Sequence, residues 1–238
     1  MGRFGVRAGA PVVALALALG TGCSIQPRPI EYDSLGGAPA TDDGLHRVRT
    51  FAVGAAYLKP GARFSSYDGV VIDPVTVSYK NEPRRPTELN RRRGNFALSE
   101  AAMDRLKRIF EESFERELAR SEHFAVGAEA GSSVLRLSGR IVNLVVNVPP
   151  TRGREADFVQ NAGEMTLILV MRDSQTGELL GRVADRRAIR PGSAGLSMVW
   201  ESGSVRNWGA VRDVFSNWAR ILRHALDDLR EVPHVPGG

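Results

Sequence analysis

A single cysteine, Cys23, in a chain of 238 residues rules out any disulfide within the chain. Stability must therefore come from a packed core, which a body of roughly 200 residues is large enough to form. Lysine is also scarce, at positions 59, 80 and 107 only, so the basic character is carried by arginine. A formal net charge of +5 is too mild to point to nucleic acid. The histidines are His46, His123, His224 and His234, with no pair at metal-ligand spacing and no H-E-x-x-H. No metal and no cofactor is expected. A nucleophilic triad needs a strained elbow such as G-x-S-x-G, and neither "GRFS" nor "GSAGLS" supplies one. "RPGSAG" at 190–195 lacks the lysine and following helix of a phosphate cradle. Carboxylate pairs such as Glu111 and Glu115 fall on the polar side of a helix. The absences together point away from an enzyme.

The N-terminus holds the only long apolar run. Arg3 and Arg7 precede an Ala, Val and Leu stretch at 8–19, then Gly20, Thr21 and Gly22 lead into Cys23. At about 15 residues the stretch is short for a spanning helix, which needs roughly 20. The layout is that of a secretory signal. Its end resembles the lipobox of bacterial lipoproteins, although Gly20 stands where leucine is usual. Such a motif implies cleavage before Cys23 and attachment of diacylglycerol to its thiol, with palmitate-type chains anchoring the protein in a membrane. The alternative is an ordinary signal with an incidental cysteine. Ser24, not Asp, follows Cys23, which points to the outer membrane and a periplasm-facing body in a host with two membranes.

The expected organisation is a signal peptide at 1–22, a flexible tether at 23–48, one α/β domain at 49–231 and a disordered tail at 232–238. The tether sequence mixes Pro, Gly, Asp and Ser, and about 25 such residues reach on the order of 28 Å root-mean-square. "GVVIDPVTVSY" at 69–79 reads as a strand, edge or bulged because Pro74 cannot donate to a ladder. Ser99 is placed to cap a helix over 99–121, in which Met103, Leu106, Ile109, Phe110, Phe114 and Leu118 form one stripe. Strands follow at 134–148, 163–172 and 178–189. The first turns apolar on both faces after Arg140, as a central strand or one bulged near Gly139 would. "DSQTG" reads as the hairpin loop between the other two. A second helix, 207–230, with Asn207 as candidate cap, carries Trp208, Val211, Phe215, Trp218, Leu222 and Leu229 on one face. Strand, helix, three strands, helix predicts an α+β fold. It would be a two-layer α/β sandwich with a mostly antiparallel sheet of about four strands and two long amphipathic helices on one face.

In the hairpin, pairing Arg172 with Glu178 sets Met171 opposite Leu179, Leu169 opposite Gly181, Leu167 opposite Val183 and Glu164 opposite Arg186. Met165, Leu167, Leu169, Met171, Leu179 and Val183 are then expected beneath the helices. Glu164, Thr166, Arg172, Glu178, Arg182 and Arg186 are expected on the other face. Glu164, Arg182 and Arg186 are the candidate polar site there. A second candidate is the arginine-rich loop with Arg84, Arg85, Arg91, Arg92 and Arg93, whose charge suits an anionic surface such as lipid headgroups, or an envelope protein. Its alternative is a solvated loop. "ADRRAIRP" at 184–191 sets Asp185 and Arg187 on one side of a strand, as a polar site or as a structural ion pair.

Three stretches resemble a known family. "LKPGARFSSYDGVVIDPV" at 58–75, "DSQTGELLGRVADRR" at 173–187 and "NWGAVRDVFSNWARILRHALDDL" at 207–229, behind the lipobox cysteine, are similar to bacterial lipoproteins grouped as domain of unknown function 3313. The resemblance covers roughly residues 50–230. It implies a lipid-anchored envelope protein and supplies no activity, cofactor or catalytic residue. Two functions stay open: a non-enzymatic envelope module that binds a partner, and a periplasmic enzyme acting on cell-wall or lipid substrates. A cleft lined by converging polar groups would distinguish the second.

Overall fold

A computed structural model describes residues 30–32, 41–83, 95–147, 163–190 and 208–237. The signal stretch, Cys23, Asn207 and the arginines at 84, 85 and 91–93 lie outside the described residues. Along the chain come β1 (His46–Val48), β2 (Ala55–Leu58), a 3-10 turn at Phe64–Ser66, β3 (Gly69–Ile72) and β4 (Thr76–Tyr79). Then follow α1 (Glu100–Leu118), β5 (Ala125–Val126), β6 (Val134–Val146), β7 (Gly163–Asp173), β8 (Leu179–Ile189) and α2 (Trp208–Arg230). Among the described residues no helix is long and apolar enough to cross a membrane.

The sheet is not the expected antiparallel one of about four strands with two long helices on one face. It is a mixed, 8-stranded sheet in the order β1-β2-β8-β7-β6-β3-β5, with β4 also paired to β6, and the described residues hold two helices beside it. Two physical causes account for the difference. First, β3 and β4 run parallel to β6. Parallel neighbours require a crossover, and α1 supplies it between β4 and β6. Second, β1, β2 and β5 span only two to four residues, too few to show a period of two. The single strand expected at 69–79 is split at Asp73–Val75, where Pro74 has no N–H to donate. Ile72 pairs with Leu137 but Thr76 with Arg140, so the break holds one residue more than the facing strand.

The long hairpin sets the faces. Asp173 N–H donates to the Glu178 carbonyl at 2.9 Å and Gly177 N–H to the Asp173 carbonyl at 3.0 Å, so the turn closes one residue later than expected. Gly177 has φ of +73°, as a turn of this kind requires. Leu180 is then a bulge: Arg172 pairs with Leu179, but Met171 pairs with Gly181. Leu169 thus faces Val183 and Leu167 faces Asp185, a register two residues from the expected one. From Gly181 onward a shift of two keeps each side chain on its expected face, whereas before the bulge the shift is one and Glu178 and Leu179 change face. Leu180, not Leu179, enters the core, at 3 % exposure.

On the inner face Leu135, Leu137, Ile141, Met165, Leu167, Leu169 and Met171 are buried. Gly139 lies among them, and a Cβ there would stand 2.7 Å from Cζ of Phe110. Glycine here lets α1 approach β6; the bulge in this strand is instead between Val142 and Val145, where Asn143 takes φ of +54°. Phe110 stacks on Phe114 at 4.2 Å between centroids and meets Phe215 of α2 edge-on at 5.4 Å. Ser99 caps α1 as expected, accepting from the Ala102 N–H.

Both ends of the body hold more chain than expected. Leu45 is fully buried, β1 falls within the segment expected to be tether, and Tyr32 bridges to Val48. The residues at 232–237, expected as a disordered tail, return to the body. Val235 is fully buried, and its N–H and carbonyl bond to Ala62 and Gly61.

Candidate functional site

Between the bulges, the even-numbered positions 136–142 of β6, 164–172 of β7 and 182–188 of β8 share the outer face. The register lines up Ser138, Val170 and Arg182 with Tyr57 of β2, and next to that row Arg140, Ile168 and Ala184. Arg136 faces Arg172 directly, and Val142 faces Thr166 and then Arg186. Alternation of buried and half-exposed residues along β7 is unbroken, so Thr166, Ile168 and Val170 keep solvent contact while their odd-numbered neighbours are buried. Five arginines, Arg136, Arg140, Arg172, Arg182 and Arg186, therefore surround a small apolar centre of Val142, Ile168 and Val170.

Most of these arginines have a local partner. Arg136 Nε donates to both oxygens of Asp73, at 2.9 and 3.0 Å. Arg172 donates to the Gly177 carbonyl at 2.7 Å. Arg182 pairs with Asp43, whose carboxyl is held below its ordinary range by the Thr41 hydroxyl first and by Arg182 next. Arg186 pairs with Glu164, which also lies 3.8 Å from Lys80 Nζ. The Arg140 side chain is exposed and has no ion pair or hydrogen bond among the described residues. Arg136 and Arg172 are directly opposed like charges, a pairing disfavoured by itself and offset here by Asp73 on Arg136.

The candidate residues Glu164, Arg182 and Arg186 are thus brought onto one face. Glu164 meets Arg186 diagonally, since Thr166 is the residue directly opposite Arg186. Arg136 and Arg140 belong to the same face and were missed as site residues. Their signal was present: in "RLSGR" they sit four apart on a strand, hence on one side. The arginine-rich loop lies outside the described residues, but its flanks are joined, with Asn95 Nδ2 donating to the Asn81 carbonyl at 2.9 Å.

The other polar clusters are consumed by the fold. Asp185, 9 % exposed, accepts from the Gly54 N–H at 2.9 Å, from Arg187 Nε at 2.5 Å and from Trp218 Nε1 at 2.8 Å. It ties β8 to α2 and to the β1–β2 loop, so the structural ion pair is the correct reading of "ADRRAIRP". Asp173 holds the hairpin turn. Its carboxylate accepts from the Thr176 and Gln175 N–H groups and from the Tyr67 hydroxyl at 3.0 Å. Those bonds, the Thr176 N–H foremost, lower its pKa, while burial foremost, then Asp173, raises that of Tyr67. Tyr67 and Asp173 come from two of the stretches that carry the family resemblance, and Lys59 pairs with Glu178 across the same two. Among the described residues no group of three His, Cys, Asp or Glu could hold a metal ion. A shallow recess of about 240 Å³ beside the β1–β2 loop is lined by Arg47, Arg49, Thr50, Phe51 and Gly54, with no carboxylate or nucleophile in it.

Comparison with known proteins gives one family and several loose structural likenesses. A DUF330-family protein from Xanthomonas campestris is similar at 16% identity over 71% of this chain and 87% of its own, with a TM-score of 0.38. The PelC dodecamer from Paraburkholderia phytofirmans is similar at 12% identity over 74% of this chain and 96% of its own, with a TM-score of 0.34. At these scores neither lends an activity or an assembly. No curated protein matches the sequence. The family described as "Protein of unknown function (DUF3313)" matches residues 40–222. The chain belongs to the DUF3313 family.

Proposed function

We propose that this protein is a non-enzymatic module of the bacterial envelope, anchored through a lipid on Cys23 at the periplasmic side of the outer membrane. It binds an acidic protein partner on the open face of its sheet. The observation that carries the binding role is the outer face itself: five arginines on three adjacent strands around Val142, Ile168 and Val170. An interface of this kind has a small apolar centre and a charged rim, with arginine favoured over lysine. The anchor is supported by the apolar run, the small residues before Cys23 and the serine after it. An enzyme would need an acid, base or nucleophile converging on one cleft. Asp185, Asp173 and Asp73 are instead engaged in holding strands and turns.

Site-specific photocrosslinking in intact cells tests this reading. A photoreactive residue at Thr166 should give a discrete protein adduct, and one at Glu115, on the exposed side of α1, should not. Arg140→Glu should weaken the Thr166 adduct. Equal adducts from both positions, or an adduct indifferent to Arg140→Glu, would remove the outer face as the docking surface.

A further inference from the structure

We infer that one end of the sheet, the end that carries Phe51, lies on the lipid surface that holds the anchor. The inference rests on the lipid anchor proposed above and adds the orientation of the body, which that proposal leaves free.

Three observations converge on this end. Phe51 is 97 % exposed, the one large hydrophobic residue so placed among the described residues. It sits in the β1–β2 loop close to Arg47, Arg49 and, through the Ala52 carbonyl, Arg187. An aromatic ring beside guanidinium groups suits the boundary between acyl chains and anionic headgroups.

Next is the route of the chain toward Cys23. Tyr32 bridges antiparallel to Val48, and the Arg49 N–H donates to the Glu31 carbonyl at 2.7 Å, a contact closed by an Arg49–Glu31 ion pair. Antiparallel pairing sends the chain from Tyr32 through Ile30 in the direction of Phe51. Fully extended, the stretch from Cys23 to Glu31 spans at most about 28 Å. The pinning of Glu31 makes the tether far shorter than a free segment reaching to residue 48.

The last is charge. The flanks of the arginine-rich stretch, Asn81 and Asn95, lie at the same end, where Asn95 Oδ1 accepts from the Val146 N–H and Lys80 N–H donates to the Leu144 carbonyl. This end of β6 pairs with the Gly163 end of β7 and hence with the Ile189 end of β8. The "DSQTG" turn stands at the opposite end, roughly 35 Å away along strands of this length. A single ring in a loop would bind a membrane weakly from solution. Tethering makes the contact intramolecular, so a weak contact suffices to set orientation.

The test uses the full lipidated protein in vesicles of phosphatidylethanolamine and phosphatidylglycerol. With Cys23 acylated, Ala52→Cys offers a unique thiol for an environment-sensitive fluorophore beside an intact Phe51, and Gln175→Cys places the same probe on the far turn. Both sites are exposed, so neither change touches the core. Co-flotation reports the anchor, and emission reports orientation. The expected result is a blue shift, with loss of emission to spin-labelled lipids, at position 52 and neither at position 175. Co-flotation with an unshifted probe at 52, or with both probes shifted alike, overturns the orientation and leaves the anchor standing. Failure to float, or flotation unchanged by Cys23→Ala, overturns the anchor and the orientation with it.

Discussion

The two faces of the central sheet come from the same three strands and have opposite chemistry. The inner face is aliphatic and closed by aromatic rings; the outer face is arginine around a few half-exposed aliphatics. On the inner face glycines at 139 and 181 are shape requirements, because Phe110 and Met171 occupy the space above them. On the outer face the side chains meet water and one another through ion pairs, so shape is loosely constrained and charge is what distinguishes it. Stability is concentrated on one side of the sheet, and the recognition we propose lies on the other. The substitutions that follow separate them.

The largest effect belongs to the inner face. Phe110→Ala removes a fully buried ring that contacts Phe114 and Phe215. It should destabilise by about 3–5 kcal/mol, seen as a lowered denaturant midpoint. Asp185→Ala comes next. It leaves the buried Trp218 Nε1 and the Gly54 N–H without their acceptor, at about 1–3 kcal/mol. In the Trp218→Phe background part of that loss should vanish, and full additivity in the double-mutant cycle would show that the pair is not coupled.

At the edge between the faces, the Asp173 turn should show itself through pH. Its folded carboxyl titrates below the ordinary value of 3.8 because the Thr176 N–H, among others, bonds the ionised form. The stabilisation is therefore complete above that value and lost as pH falls through the lower folded value. The stability gap between wild type and Asp173→Asn should hold steady near neutrality and narrow in acid. A gap that widens in acid contradicts the assignment. The smallest effect is on the outer face, where Arg140→Glu should leave stability within about 0.5 kcal/mol while weakening the crosslinked adduct. A large loss of stability would mean that this face too is structural.

Much of this division was legible before the structure. Alternation in "GEMTLILVMR" assigns its side chains to two faces whatever strand lies next to it, which is why a register wrong by two still placed Arg182 and Arg186 correctly. Leu179 was misplaced because a bulge has no sequence period to reveal it. The parallel partners of β6 were misread because the order of strand, helix and strand permits a crossover as readily as a hairpin. The segment at 41–48 looked like tether from its Asp and Gly content. Its attachment shows in Leu45, which is fully buried, and in Asp43 meeting Arg182, 139 residues away in sequence.

The sequence by itself determined the two amphipathic helices, the capping Ser99, the "DSQTG" turn and the polarity of each strand face. These follow from spacings of two, three and four residues and from turn chemistry, all local. Only the tertiary structure decided that eight strands form one mixed sheet, that Asp185 and Asp173 are spent on the fold, and that Phe51 and the chain toward Cys23 leave from the same end. Those outcomes depend on which distant segments bury each other's surface, and local periodicity holds no record of a partner.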